Sequence, residues 1–102
     1  MSRLESFRAM VAANPENALA RFGLATDALT AGEHAEAVEN LQAYLARHDD
    51  EGNAYGRLAE ALVALGRLDE ARAALHSGVE TAERHGHPGM AAEFESRLEE
   101  LE

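Results

Sequence analysis

Two histidines that flank a glycine, His85-Gly86-His87, form the one arrangement in the chain that resembles a metal site. Imidazole nitrogens are common zinc ligands, and a third ligand such as Glu83 or His48 would have to join them. The pair falls where a predicted helix ends, a position that favours histidine because its positive form interacts well with the helix dipole. We therefore predict no metal site and no cofactor, with metal sensing through these two histidines as the alternative.

Acidic and hydroxyl side chains are plentiful but form no recognisable catalytic pattern. The carboxylates at helical spacing fall into two groups, Glu33, Glu36 and Glu39, and Glu95, Glu99 and Glu100. Both groups look like solvated helix faces, whereas acid–base catalysis needs carboxylates in a pocket with shifted pKa values. The serines, none of which sits in a nucleophile motif, are Ser2, Ser6, Ser77 and Ser96. We predict that the protein is not an enzyme.

The balance of charge is strongly acidic. The 102 residues carry 19 Asp and Glu against 9 basic side chains, all arginine, for a formal net charge of -10. Such a field repels the phosphates of nucleic acids and anionic lipids, so we expect a protein or peptide partner that is apolar, basic or both. Cysteine is absent, which removes disulfides and thiolate chemistry. No apolar run approaches the roughly 18 residues of a spanning helix and the N-terminus has no apolar signal segment, so we expect a cytoplasmic protein.

One stretch of ten residues occurs twice. Gly32–Leu41 (GEHAEAVENL) returns thirty-four residues later as Gly66–Leu75 (GRLDEARAAL), with glycine, glutamate, alanine and leucine at matching places. The same offset aligns Leu24 with Leu58. A fixed period of this length indicates stacked helical repeats within a single domain, residues 1–102.

Apolar residues recur at spacings of three and four through six segments, which predicts an all-α chain. The predicted helices cover residues 2–13, 16–31, 34–48, 51–65, 68–85 and 88–101. At the first break we predict Asn14 as the N-cap and Pro15 as the first residue of the second helix. The short loops make consecutive helices antiparallel neighbours.

The landmarks along this period resemble the tetratricopeptide repeat, a unit of two helices. In the first full unit, residues 18–51, the matches are Leu24, Ala25, Gly32, Ala37 and Leu41. In the second, residues 52–85, they are Tyr55, Leu58, Ala59, Gly66, Ala71 and Leu75. The resemblance implies a right-handed superhelix of antiparallel helix pairs, with residues 2–13 as a leading half repeat and residues 88–101 as a capping helix.

Five residues depart from the family pattern, among them Asp49 and Glu83, which stand where each full unit usually closes with proline. Arg21 stands where the first unit usually has a large aromatic residue, and Tyr44 and Gly78 stand where alanine is common. These departures predict local differences in packing. We interpret Tyr44 and Tyr55 as structural residues between units, and Glu93 and Arg97 as a surface ion pair at i,i+4 spacing.

The resemblance also implies a binding surface, because the first helices of such units line a concave face. Carried onto this chain, the concave positions are Leu19, Phe22, Thr26, Leu29, Asn53, Gly56, Glu60 and Val63. The second predicted helix supports this placement, since it is apolar on two faces and such a helix is sandwiched or lines a groove. The alternative is that neighbouring helices cover the apolar residues Leu19, Phe22, Leu29 and Val63, with Phe22 packed on Phe7 and Met10.

These features predict a non-enzymatic protein–protein interaction module that binds a peptide or helical segment on the concave face. The clamp by which some family members hold a C-terminal carboxylate is rejected, because lysine is absent and Glu60 would repel a carboxylate. The alternative function is self-assembly, as a homodimer through the open end near Leu4, Phe7 and Val11 or as a fragment of a longer repeat array.

Overall fold

The computed structural model describes residues 1–102 as six α-helices with no strand. In chain order these are α1 (Arg3–Ala13), α2 (Ala18–Thr30), α3 (His34–Leu45), α4 (Asn53–Ala64), α5 (Leu68–Arg84) and α6 (Pro88–Glu100). The prediction of an all-α chain of six helices is confirmed, with differences of up to three residues at the helix ends.

The junction between α1 and α2 differs from the prediction. Asn14 is the C-cap of α1, where its N–H donates to the carbonyl of Met10 at 2.9 Å, and is not the N-cap of α2. Asn17 takes the N-cap role, because its extended backbone lets the side-chain oxygen accept the N–H of Ala20 at 3.1 Å. Pro15 therefore lies in the turn between the helices and not at the start of α2.

Three helices end in the same way, on a glycine with positive φ. Gly32, Gly66 and Gly86 have φ values of 80°, 74° and 76°. After each of them the next N–H returns to a carbonyl in the last turn, as from Glu33 to Ala28 at 2.8 Å. This is the Schellman arrangement, which a residue with a Cβ adopts only with strain. The glycines thus set the short turns that bring each helix back against the one before it.

The helices stack in chain order and form two layers. Each helix packs on its neighbours in sequence, and α2 also contacts α4. One layer contains α2, α4 and α6, and the other contains α1, α3 and α5. Ion pairs join elements across the stack, as between Arg8 of α1 and Glu36 of α3 at 2.7 Å.

The core between the layers is built from alanine and leucine. The largest fully buried side chains are Leu41, Leu62 and Leu75, and alanines of α2 to α5 fill the positions around them. Alanine combines high helix propensity with a small volume, so the helices approach closely without leaving voids.

Two phenylalanines seat the outer helices against glycines. Phe7 of α1 lies against Gly23 of α2, where an added Cβ would come within 2.5 Å of the ring. Phe94 of α6 lies between Gly56 of α4 and Gly78 of α5, where an added Cβ would come within 2.8 Å at either position. The departure from alanine at Gly78 is therefore explained by the space that the Phe94 ring occupies.

Candidate functional site

Helices α2, α4 and α6 lie side by side in one layer, and we call the outward side of this layer the concave face, because the family resemblance assigns the concave positions to it. Contacts between α2 and α4 join the first two helices. The Arg97 side chain joins the third, since its Nη2 donates to the carbonyl of Gly56 at 3.0 Å. The predicted ion pair between Glu93 and Arg97 is absent, because that guanidinium is directed at the α4 backbone and lies 5.7 Å from the Phe94 ring centroid.

On α2 the predicted residues differ sharply in exposure. Leu19 is 84% exposed, the highest exposure among the exposed leucines. Thr26 is half-buried and its hydroxyl donates to the carbonyl of Phe22 at 2.9 Å. Leu29 is half-buried against the core. The first turn of α2 therefore presents the strongest apolar feature of this face.

Phe22 lies between two side chains of other helices. The Phe22 ring centroid is 5.1 Å from the ring centroid of Tyr44 in α3. The guanidinium carbon of Arg57 in α4 lies 5.6 Å from the same Phe22 centroid. Phe7, the partner considered for Phe22 in the alternative interpretation, lies with its ring against Gly23. Phe22 is thus a half-buried part of the floor, held by α3 and α4.

Tyr44 supports this floor from below. Burial raises the pKa of the Tyr44 hydroxyl, and the charge and hydrogen bond of Asp50 raise it further. The ring also stacks on His48, with centroids 5.2 Å apart. Tyr44 therefore remains neutral and contributes packing rather than charge, in accordance with its interpretation as a structural residue.

On α4 three of the predicted residues face outward and one does not. Asn53 and Glu60 are exposed, and Val63 is 40% exposed. Gly56 is buried beneath Phe94 and Arg97 of α6. The structure therefore brings Asn53, Glu60 and Val63 to the surface, while the capping helix of the chain itself occupies the position above Gly56.

Arg57 is a residue of this face that the sequence analysis missed. Eight of the nine arginines form an ion pair or a hydrogen bond. Arg57 forms neither, and its buried Nε has no partner. The signal was present in the spacing, because Asn53, Arg57 and Glu60 follow one another at intervals of four and three along one helical stripe.

Two clefts lie between α4 and α6. One, of about 200 Å³, runs beside Arg57 and is lined by Asn53, Gly56, Arg57, Glu60, Met90, Glu93, Phe94 and Arg97. The other, of about 180 Å³, lies towards the helix ends and is lined by Glu60, Val63, Leu75, Arg97, Glu100 and Leu101. Glu60 borders both, so the two clefts adjoin on the concave face.

The largest cavity, of about 310 Å³, is lined by none of the residues predicted for the concave face. It is bounded by the start of α2 and the end of α3, including Arg21, Tyr44 and Arg47. Arg21 stands in the family's aromatic position and donates instead to the carbonyl of Pro15 at 3.1 Å and to Asn40 at 3.0 Å. Arg21 thus lines the cavity with a polar side chain where the family usually has an aromatic ring.

His85 and His87 lie near carboxylates of the α3–α4 loop. His87 Nε2 is 3.1 Å from Glu51 Oε1, and His85 Nε2 is 3.4 Å from Asp49 Oδ2. Neither of the third ligands considered from sequence, Glu83 or His48, is paired with them. No group of three His, Asp or Glu side chains is arranged to hold a metal ion. These contacts tie the α3–α4 loop to the end of α5.

The carboxylates interpreted as solvated faces have different environments. Glu36 pairs with Arg8, whose hydrogen bond holds the pKa of that carboxyl below its usual range. Glu95 and Glu99 of α6 are exposed and form no ion pair. Glu100, the remaining member of that group, borders the smaller cleft between α4 and α6.

Comparison with known proteins places this geometry in a family. The family model described as tetratricopeptide repeat matches residues 28–87. The TPR repeat-containing protein PA0015 of Pseudomonas aeruginosa is 33% identical over 99 residues, which cover 97% of this chain and 94% of that protein. The chain belongs to the tetratricopeptide repeat family, as its landmarks predicted.

A solved structure shows the same fold. The solution structure of protein BPP2914 from Bordetella parapertussis matches with a TM-score of 0.81 at 27% identity, covering 99% of this chain and 88% of that one. Tetratricopeptide repeat proteins are generally protein-interaction modules and typically non-enzymatic. No helix of this chain combines the length and apolar character needed to cross a membrane.

Proposed function

We propose that this protein is a non-enzymatic interaction module that binds a peptide or helical segment of another protein on its concave face. The observation that carries the proposal is the exposure of Leu19, which is 84% exposed at the start of α2. An exposed leucine gains free energy when a partner covers it, by about 25 cal/mol for each Å² of apolar surface removed from water.

The rest of the face supports a partner of mixed character. Phe22 lies under Arg57 and against Tyr44, so the floor next to Leu19 is apolar and held by three helices. Towards α6 the face becomes polar, with Asn53 and Glu60 exposed. An amphipathic segment fits this arrangement, with its apolar residues over α2 and its basic residues towards α4 and α6.

Net charge points to the same partner. A formal charge of -10 favours encounter with a basic segment and disfavours an acidic one. The face also holds the unpaired guanidinium of Arg57, whose carbon lies 5.6 Å from the Phe22 ring centroid. The net charge and the exposed Glu60 therefore favour a partner that is apolar where it meets α2 and basic near Glu60, away from Arg57.

The test is a peptide selection from a displayed random library, followed by affinity measurement on substituted proteins. Leu19→Asp/Val63→Asp places two carboxylates on exposed apolar positions of the concave face, and we expect it to weaken binding of the selected peptides by at least about tenfold. Circular dichroism first establishes that the variant keeps its helices.

The matched control is Leu65→Asp/Leu68→Asp. These leucines are 38% and 39% exposed, similar to Val63, but lie at the turn between α4 and α5, outside the predicted site. We expect this control to bind as the wild type does. Equal binding by all three proteins would show that the peptides use another surface and would contradict the proposal.

A second candidate function is self-assembly through α1. This helix has no buried residue, and its Met10 is 45% exposed. Leu4, Phe7 and Val11, the residues of the expected open end, are each half-buried. Light scattering distinguishes the candidates: a mass above the 11.0 kDa of one chain that Met10→Glu returns to 11.0 kDa would favour self-assembly.

A further inference from the structure

A notch at the end of the concave face combines an apolar floor with an acidic rim. Its lining consists of Glu60 and Val63 of α4, Leu75 of α5, Arg97 and Glu100 of α6, and Leu101. Leu75 is 1% exposed, and the notch holds about 180 Å³. The space is therefore deep enough for one side chain and too small for a folded element.

The outer wall of the notch is anchored. Arg72 of α5 donates from Nη2 to the carbonyl of Leu101 at 2.7 Å, and its Nη1 pairs with Asp69 at 2.7 Å. The backbone at the end of α6 is thereby tied to α5, and Leu101 packs against the core. The notch is consequently a preformed feature of the surface.

The two carboxylates on the rim have no cationic partner within the chain. Neither Glu60 nor Glu100 forms an ion pair, although both border the notch with Arg97. The Arg97 guanidinium is engaged elsewhere, since it donates to the carbonyl of Gly56 and lies over the Phe94 ring. The rim thus keeps two carboxylates available beside an apolar floor.

We propose that this notch accepts a cationic side chain with an aliphatic stem, a lysine or an arginine, from the partner that the concave face binds; the inference rests on the proposed function. Such side chains bury their methylene stem along apolar surface and keep the charged end at the rim. Val63, Leu75 and Leu101 contact the stem, while Glu60 and Glu100 accept hydrogen bonds from the charged end. Two separate carboxylates suit the three rotatable donors of an ammonium, so lysine fits better than the planar guanidinium.

The experiment uses an N-acetylated random peptide library displayed against the full chain, so that no terminal amine competes with a side chain. Wild type is compared with Glu60→Gln/Glu100→Gln. The matched control is Glu95→Gln/Glu99→Gln, which removes the same charge from exposed positions of α6 outside the notch. We expect lysine or arginine at a fixed place in the peptides selected by the wild type and by the control, and its loss with Glu60→Gln/Glu100→Gln.

Affinities of one selected peptide then locate the effect. Replacing its fixed cationic residue by norleucine should weaken binding to the wild type by about tenfold and leave binding to Glu60→Gln/Glu100→Gln almost unchanged. A norleucine peptide that binds the wild type equally well would overturn the inference. An equal loss of affinity in both glutamine variants would overturn it too, because net charge and not the notch would then attract the peptide.

A fourth protein, Leu19→Asp, separates this inference from the function on which it rests. Its substitution lies on α2, away from the notch. Peptides that lose binding to Leu19→Asp but show no fixed cationic residue would leave the proposed function standing and remove the inference. Peptides that are insensitive to Leu19→Asp would contradict the proposed function, and the inference with it.

Discussion

Phe94 of α6 lies against Gly78 of α5, and a Cβ added to that glycine would be 2.8 Å from two atoms of the ring. The same ring covers Gly56 of α4, so one side chain seats α6 on two helices at once. This contact positions the wall of the concave face that α6 provides. It also shows why alanine, common at this place in the family, is replaced here by glycine.

Gly78→Ala is expected to lower the free energy of unfolding by about 1–2 kcal/mol, because the overpacking cost exceeds the gain in helix propensity. Urea denaturation measures the change. Gly89→Ala is the matched control, since it also lies in a helix but has open space around its added Cβ. We expect that control to gain up to about 1 kcal/mol; a stabilised Gly78→Ala would mean that the ring moves aside without cost.

The ion pair between Arg8 and Glu36 should make the attachment of α1 depend on pH. A hydrogen bond from Arg8 lowers the pKa of Glu36 in the folded chain, so the contribution to stability is complete above the usual glutamate pKa of about 4.3 and is lost as pH falls through the lower folded value. Arg8→Gln should therefore flatten the acidic part of the stability curve, measured by urea denaturation at a series of pH values.

The location of that ion pair gives the experiment its control. Arg8 joins α1 to α3, so Arg8→Gln should also speed hydrogen exchange of the α1 amides at neutral pH. Arg67 lowers the pKa of Glu70 in the same way, but the two residues lie within one turn at the start of α5. Arg67→Gln should leave exchange in α1 unchanged. Identical exchange in wild type and Arg8→Gln would show that packing on α2 alone holds α1.

The half-buried Arg21 and the buried Asn40 form a hydrogen-bonded pair that should show energetic coupling. Asn40 is 4% exposed; its oxygen accepts from Arg21 at 3.0 Å and its amide donates to the carbonyl of Glu36 at 2.9 Å. Arg21→Leu restores an apolar residue but leaves the asparagine oxygen without a partner, which should cost about 1–3 kcal/mol.

A double-mutant cycle with Asn40→Leu measures that coupling. The double variant should be more stable than the sum of the single changes predicts, by about 0.5–3 kcal/mol, because it removes both members of the pair. Additive effects would show that the two residues act independently. The second repeat provides the comparison within the chain, since Tyr55 and Ala74 occupy the corresponding places.

Much of the fold could be predicted from local sequence. Glycines at thirty-four-residue spacing predicted where α2 and α4 end, because a left-handed cap is a property of a few adjacent residues. The predicted N-cap of α2 was wrong by three residues, because Asn14 and Asn17 have the same capping chemistry. Only the conformation of the turn between them decides which one caps the helix. Likewise, the sequence showed that Arg21 replaces an aromatic residue of the family pattern. It did not show that this arginine would form a hydrogen bond with Asn40 of α3.

The candidate site was less predictable, because it also depends on contacts between residues that are far apart in the sequence. A helical stripe shows which residues share a side of a helix, and the family resemblance assigned Leu19, Phe22, Gly56 and Val63 to one such side of α2 and α4. Of these four, Leu19 and Val63 are exposed in the structure. Whether such a position stays open depends on residues far along the chain. Phe94 and Arg97 cover Gly56, and Arg57 and Tyr44 enclose Phe22.

The sequence by itself therefore determined the family, the six helices and the order in which they stack, since these depend on period, apolar spacing and turn residues within each unit. Only the tertiary structure decided which side chains remain free for a partner. That outcome depends on the docking of α6 and on the paths of long side chains such as Arg57 and Arg97, whose partners are chosen by geometry between helices and leave no periodic trace in the sequence.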